Sequence, residues 1–156
     1  MARTIAVVVV SLVALVVSPA VASTPAPTPI STQTQTYATK IMSATNTVRT
    51  NHARARFAGN LCIKGFAVRQ ARRMANQERM FHQNLGPVLS KCGLRTAGEN
   101  VAFGFPTGRA VVFLGWVRSP SHLANILDGH FRLLGSAARR SDDGVWYAAQ
   151  VFGTRL

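Results

Sequence analysis

The strand-like part of this sequence lies at its C-terminal end, and that position limits the fold more than any other feature. Two β-type runs, residues 133–139 and 145–152, flank Ser141-Asp142-Asp143-Gly144. An Asp-Gly pair between two such runs is a strong signal for a β-hairpin. Because the segments before it have helical spacing, helices come first and an antiparallel hairpin comes last. This order predicts the α+β class.

The segments before the hairpin predict four helices. Apolar residues near helical spacing indicate a first helix over residues 38–54, followed by a connector over residues 55–65. Residues 66–80 predict an amphipathic second helix, broken at Gly86-Pro87, with arginines on its outer face: Arg69, Arg72, Arg73 and Arg79.

The third and fourth predicted helices are marked by their N-terminal caps. Thr107 is expected to cap a helix that continues through Trp116, whose ring is expected to lie in the core. Ser119-Pro120 begins a short helix that ends at Asp128-Gly129, since Ser is a preferred N-cap and Pro is tolerated at the first helical position.

The N-terminus has the pattern of a secretory signal peptide over residues 1–22. Arg3 precedes an apolar stretch, residues 5–17, and small residues follow at Ala20-Val21-Ala22. That stretch is short for a membrane span, which needs about 20 residues. Residues 23–37 are rich in Ser, Thr and Pro and predict a disordered linker. We therefore expect a secreted protein with one folded domain over residues 38–156.

Charge is the strongest compositional feature. The chain has 18 basic and 5 acidic residues, and removal of Arg3 with the signal peptide leaves a net charge of +12. Such a charge favours polyanionic partners, either a cell-wall polymer or an anionic membrane surface, although it could also serve solubility alone. Nucleic acid is not an expected partner, since no nucleic-acid-binding motif is present. The protein is expected to be a monomer.

The two cysteines, Cys62 and Cys92, both lie in the predicted folded domain. An exported chain meets an oxidising environment, which favours one disulfide between them. Zinc binding by this pair would need further ligands nearby, and no Cys-x-x-Cys spacing is present.

Several short motifs occur in an order that resembles one superfamily. They are Asn46-Thr47-Val48-Arg49, Phe81-His82, Gly98-Glu99-Asn100-Val101-Ala102, residues 116–127 with Ser119-Pro120-Ser121-His122, and Gln150-Val151-Phe152-Gly153. Together they resemble the cysteine-rich secretory, antigen 5 and pathogenesis-related (CAP) superfamily, in the form of a bacterial SCP-like extracellular domain. The resemblance implies a three-layer α-β-α sandwich.

The resemblance also implies a central cleft with two histidines and acidic residues, which in some members binds a divalent cation. By position, His82, Glu99 and His122 would be the metal ligands, with a divalent cation such as zinc as the candidate cofactor. Asn100 is assigned to the same cleft. Ser119 also belongs there, at the position where animal and plant members have a second glutamate.

Two other histidines are expected on the surface, His52 and His130. His122 is preferred to His130 as the cleft histidine because it lies 13 residues before Gly135 and follows Ser-Pro-x.

Three functions follow from these residues. The favoured one is a secreted binding module, without catalytic residues, for an unknown small or lipid ligand. A second is a metal-dependent hydrolase of peptides or esters, in which Glu99 would act as general base on a metal-bound water. A third is a cationic protein that binds cell walls or acts as an antimicrobial through charge. A serine-type triad is disfavoured because no Gly-x-Ser-x-Gly elbow is present.

Overall fold

A computed structural model describes residues 32–156 of the chain. The predicted signal peptide and residues 23–31 of the predicted linker lie outside the described residues. The elements are α1 (Thr32–Asn51), β1 (Ala58–Gly59), α2 (Leu61–Asn76), α3 (Gly86–Cys92), β2 (Leu94–Phe103), α4 (Gly108–Ala110) continuing as a π-helix (Val111–Trp116), α5 (Pro120–Leu127), β3 (Leu133–Arg140) and β4 (Trp146–Arg155).

The predicted C-terminal hairpin is confirmed. β3 and β4 pair antiparallel from Leu133 opposite Gly153 to Arg140 opposite Trp146, and Gly144 in the connecting turn has a φ of 92°, which glycine adopts without strain. The four strands are ordered β1-β3-β4-β2. β2 is antiparallel to β4 and lies at one edge of the sheet, and the two-residue β1 is parallel to β3 at the other.

Alternate residues of the strands face two separate hydrophobic cores. In β4, Ala148 and Phe152 pack with α1, the π-helix and α5, whereas Tyr147, Ala149 and Val151 pack with α2 and α3. This period of two places helices on both faces of the sheet. The α+β class predicted from the order of elements and the sandwich implied by the family resemblance are therefore both confirmed.

The predicted bounds of the first two helices are wrong at both ends; α1 ends at Asn51 and α2 at Asn76, which leaves Arg79 beyond α2. α2 begins at Leu61, inside the predicted connector, because the Asn60 side chain caps it by accepting a hydrogen bond from the Ile63 N–H at 3.0 Å. α1 begins at Thr32, so the last residues of the predicted linker are helical, and Tyr37 among them is buried in the core.

The predicted disulfide between Cys62 and Cys92 is confirmed. The disulfide joins the first turn of α2 to the end of α3, a helix that was not predicted from the sequence. Pro87, which was expected only to break a helix, lies in the first turn of α3. Within residues 32–156, none of the helices combines the length and apolarity needed to span a bilayer.

Candidate functional site

Glu99 lies on the edge strand β2, and its carboxylate hydrogen-bonds the segment that follows α2. Its Oε2 accepts hydrogen bonds from His82 Nδ1 at 2.8 Å and from the Gln83 backbone N–H at 3.1 Å, and its Oε1 accepts one from Gln83 Nε2 at 2.6 Å. The Glu99 side chain is 2% exposed, whereas that of His82 is 59% exposed. The carboxylate therefore fixes the His82 ring through Nδ1, while more than half of the His82 side chain stays exposed.

Asn100 connects the opposite face of β2 to α5 and to the core. Its Nδ2 donates to the His122 carbonyl and to Gln150 Oε1, both at 3.1 Å, and its Oδ1 accepts from Asn125 Nδ2 at 2.9 Å. Gln150 in turn donates to Thr45 Oγ1 of α1 at 2.6 Å. Asn100, which the sequence assigned to the cleft, is thus part of a chain of buried hydrogen bonds that fixes where α5 begins.

Side chains also cover the open edge of β2. Asn125 Nδ2 donates to the Glu99 carbonyl at 3.2 Å, and Trp116 Nε1 donates to the Val101 carbonyl at 3.2 Å. Trp116 is 1% exposed, in line with its predicted core position. These two donors take the place of a neighbouring strand, which protects an edge that could otherwise pair with another chain.

His122 lies at the start of α5 and makes no side-chain hydrogen bond to Glu99. Partial burial lowers the pKa of His122 below its usual value, and the charge of His82 lowers it further. Of these two histidines, only His82 is hydrogen-bonded to the Glu99 carboxylate.

Ser119 occupies the N-cap position of α5, but its hydroxyl makes no capping bond and lies 3.4 Å from Ser121 Oγ. His52 and His130 are exposed, as expected. His130 Nδ1 is 2.9 Å from Asp128 Oδ1.

A zinc site would need His82, Glu99 and His122 to converge on one point with free donor atoms. Within the described part of the chain, no three His, Cys, Asp or Glu side chains are grouped so that they could hold a metal ion. Both Glu99 oxygens already accept hydrogen bonds from His82 and Gln83, and Ser119 supplies only a neutral hydroxyl. The residues present thus fit a hydrogen-bonded pair of side chains better than a coordination sphere.

The Asn-x-x-Arg motif of α1 has a structural role that the sequence reasoning did not assign. The Asn46 amide bonds both the N–H and the carbonyl of Phe57, at 2.7 and 3.2 Å. Arg49, 1% exposed, stacks its guanidinium 3.8 Å from the centre of the Phe57 ring. It also donates to the carbonyls of Ile126 and Asp128 at 2.7 and 2.9 Å, which holds the end of α5.

A groove of about 560 Å³ lies away from this polar cluster, between the first turns of α1 and the start of α4. Its wall includes Tyr37 and Trp146, whose ring centres are 4.8 Å apart. Tyr37 donates a hydrogen bond from its hydroxyl to the Phe105 carbonyl at 3.0 Å, and burial raises the pKa of that hydroxyl far above its usual value. The sequence reasoning missed this groove because its residues come from three distant segments.

Two helices approach closely at one end of the groove. A Cβ atom on Gly108 would lie 2.1 Å from the Tyr37 carbonyl oxygen, so only glycine permits this contact between α1 and α4. The contact sets Lys40 of α1 and Arg109 of α4 on the same groove wall. The groove lining contains no acidic residue, whereas it contains these two cations.

Comparison with solved structures places this fold among proteins that contain an SCP domain. An extracellular protein containing an SCP domain from Bacillus anthracis is 23% identical, with a TM-score of 0.68 over 85% of this chain and 45% of that chain. An outer surface protein from Borrelia burgdorferi is 16% identical, with a TM-score of 0.66 over 74% of this chain and 90% of that chain. NaASP2, solved with Zn²⁺, is 13% identical, with a TM-score of 0.55 over 82% and 84% of the two chains.

No protein-family model and no curated protein matches the sequence. The chain corresponds to less than half of the length of the Bacillus anthracis protein. At these identities the likeness concerns the fold, and the chain has the CAP fold that its ordered motifs predicted.

Proposed function

We propose that the protein is a secreted, non-catalytic binding module that holds a small amphipathic anion in the groove between α1 and α4. The observation that carries the proposal is the combination, in one groove, of an aromatic and largely apolar wall with two cations and no carboxylate. A carboxylate with an alkyl chain of medium length has both features that such a groove would bind.

The size and chemistry of the groove support a ligand of this class. Its volume of about 560 Å³ lies within the range of small-molecule sites, roughly 300–1,000 Å³. Trp146, half-buried and packed on the buried Tyr37 ring, offers apolar surface to the alkyl chain, and burial of apolar area supplies most of the affinity. Lys40 and Arg109 would bind the anionic head group, and Arg109 is held by its contact with the Phe113 ring, 4.6 Å from the ring centre.

Hydrolysis is the weaker candidate. NaASP2 was solved with Zn²⁺, but in this chain the Glu99 carboxylate is committed to His82 and Gln83, and a third acidic or imidazole ligand is not grouped with them among residues 32–156. We therefore derive no reaction step through a metal. The His82–Glu99 pair serves instead to attach the segment after α2 to the edge of the sheet.

Secretion is supported by three independent features. The N-terminal residues have the signal-peptide pattern, Cys62 and Cys92 form a disulfide, and the similar Bacillus anthracis protein is described as extracellular. Disulfides persist in oxidising compartments, so the second feature fits export.

Titration with dodecanoate tests the proposal, with Trp146 as the reporter. Trp146 lines the groove, whereas Trp116 is buried elsewhere. Dodecanoate should therefore change the tryptophan fluorescence of the wild type, and the fluorescence of Trp146→Phe should change little. Arg109→Gln and Lys40→Gln should each weaken binding about three- to tenfold, because the glutamine amide donates a neutral hydrogen bond about half as strong as the charge-assisted one. Thr36→Phe should fill part of the groove and weaken binding further.

The matched control is Arg118→Gln, which removes the same charge from an exposed residue outside the groove. Equal weakening by Arg118→Gln and Arg109→Gln would mean that dodecanoate responds to overall charge. Unchanged affinity in Thr36→Phe and Arg109→Gln would remove the groove as the binding site.

A further inference from the structure

The outward face of α2 carries an uncompensated positive charge. Lys64, Arg69, Arg72 and Arg73 are all exposed, and α2 contains no Asp or Glu. Across residues 32–156 the ion pairs with carboxylates involve only histidines, at Glu99 and Asp128. No lysine or arginine in that range is therefore neutralised by a neighbouring acid within salt-bridge distance.

The same face exposes aliphatic side chains. Leu61 is 85% exposed and Val68 is 39% exposed. Residues 61, 65, 68 and 72 are spaced by four, three and four positions, so they lie along one line of the helix surface. Gly65 between Leu61 and Val68 adds no side chain, and Arg72 continues the line. The buried residues of α2, such as Ile63, Ala67 and Met74, lie on the opposite side.

Exposed cations beside exposed aliphatic residues on a single helix are the features of a helix that lies at the surface of an anionic bilayer. The arginines would approach the lipid phosphates while Leu61 and Val68 enter the head-group region. A soluble polyanion would use the cations but gain nothing from the aliphatic side chains, so their exposure favours a lipid surface over a polymer.

We propose that the outward face of α2, formed by Leu61, Lys64, Val68, Arg69 and Arg72, docks the protein onto an anionic phospholipid surface. None of these five residues lines the groove, and the buried side of α2 packs on the sheet face opposite α1, so the docking face is separate from the groove. Docking does not depend on the groove ligand, and each can fail without the other.

The choice of substitutions follows from the contacts of each cation. Arg73 donates to Gln70, and Gln70 Nε2 donates to the Phe81 carbonyl beside His82, so Arg73 is left unchanged. Arg69 only stacks on Phe66, 4.2 Å from its ring centre. The test variant is therefore Lys64→Gln/Arg69→Gln/Arg72→Gln. Its matched control is Arg54→Gln/Arg56→Gln/Arg118→Gln, which removes three exposed charges from the layer of α1 and α5.

Co-sedimentation with vesicles of phosphatidylglycerol and phosphatidylcholine, compared with pure phosphatidylcholine, measures the docking. Because residues 5–17 are themselves apolar, the protein is purified from culture medium and its intact mass is checked, so that all variants share one N-terminus. Each cation near an anionic surface contributes about fivefold to partitioning, so the test triple variant should lose about a hundredfold and the control triple much less. Leu61→Asn should lose about tenfold without any change of charge.

Three results would overturn the proposal. They are equal binding to vesicles without phosphatidylglycerol, equal loss in the test and control triples, and full binding by Leu61→Asn. Full vesicle binding by Leu61→Asn, together with weaker binding by the test triple variant and retained binding of the wild type to a soluble anionic polymer, would assign the α2 face to polymers instead.

Discussion

Replacement of Asn100 by alanine should destabilise the fold through the partners that it leaves behind. Asn100 is fully buried and bonds the His122 carbonyl, Gln150 Oε1 and Asn125 Nδ2. Asn125 Nδ2 keeps a second acceptor, the Glu99 carbonyl. The His122 carbonyl and the buried Gln150 oxygen lose the Asn100 donor.

The expected loss is about 2–4 kcal/mol, because the buried Gln150 oxygen without a donor costs about 1–3 kcal/mol and the shorter side chain also leaves a small cavity. That loss is smaller than the roughly 5–15 kcal/mol typical of a domain, so the variant should still fold, but with much lower stability. The corresponding fall in Tm is roughly 10–20 °C for a domain of this size.

Urea unfolding followed by circular dichroism measures the loss, with Asn76→Ala as the control. Asn76 is exposed at the end of α2, and its replacement should change stability by less than about 0.5 kcal/mol. Gln150→Ala and the double variant complete a cycle, and the double variant should lose less than the sum of the single losses. A loss below about 1 kcal/mol for Asn100→Ala would refute the reasoning that this chain of hydrogen bonds holds α5 to the sheet.

Three further predictions concern His122, the disulfide and zinc. The pKa of His122 is lower in the folded state than the unfolded value of about 6.5. The contribution of His122 to the free energy of unfolding should therefore be complete above that pH and fall as the pH drops toward the folded pKa. His122→Gln should flatten this part of a urea-unfolding pH series, and a series that His122→Gln leaves unchanged would contradict the prediction. The double variant Cys62→Ser/Cys92→Ser should lose about 3–4 kcal/mol of unfolding free energy in the same urea measurement, which is the chain-entropy value for a separation of 30 residues. A loss under about 1 kcal/mol would show that the disulfide contributes little to stability. Zinc should leave Tm unchanged, and a rise that His122→Gln abolishes would restore the metal site.

The C-terminal half of the fold could be predicted from local patterns. The Asp-Gly turn between two β-type runs specifies the hairpin, and Trp116 lies in the core as its place in an apolar helix indicated. β2 could not be recognised in this way, because its polar residues Glu99 and Asn100 interrupt the apolar alternation. Their side chains are buried by partners from other segments, which no local window contains.

The candidate site was predicted only in part for the same reason. Position in the motifs brought His82 and Glu99 together correctly, because they hydrogen-bond at 2.8 Å. It did not show that Gln83 takes the other carboxylate oxygen, which depends on how the chain turns after α2. The groove depends on the contact between Gly108 and Tyr37, and a glycine in a sequence does not reveal which backbone approaches it.

Nuclear magnetic resonance titration of the protein with dodecanoate tests the central claim most directly, because it reports on the groove and on the polar cluster in one experiment. Shifts are expected at the Trp146 indole and at the backbone N–H groups of Tyr37 and Arg109, while the imidazole signals of His82 and His122 stay unchanged. Shifts confined to His82 and His122, with the groove signals unmoved, would contradict the assignment of ligand binding to the groove.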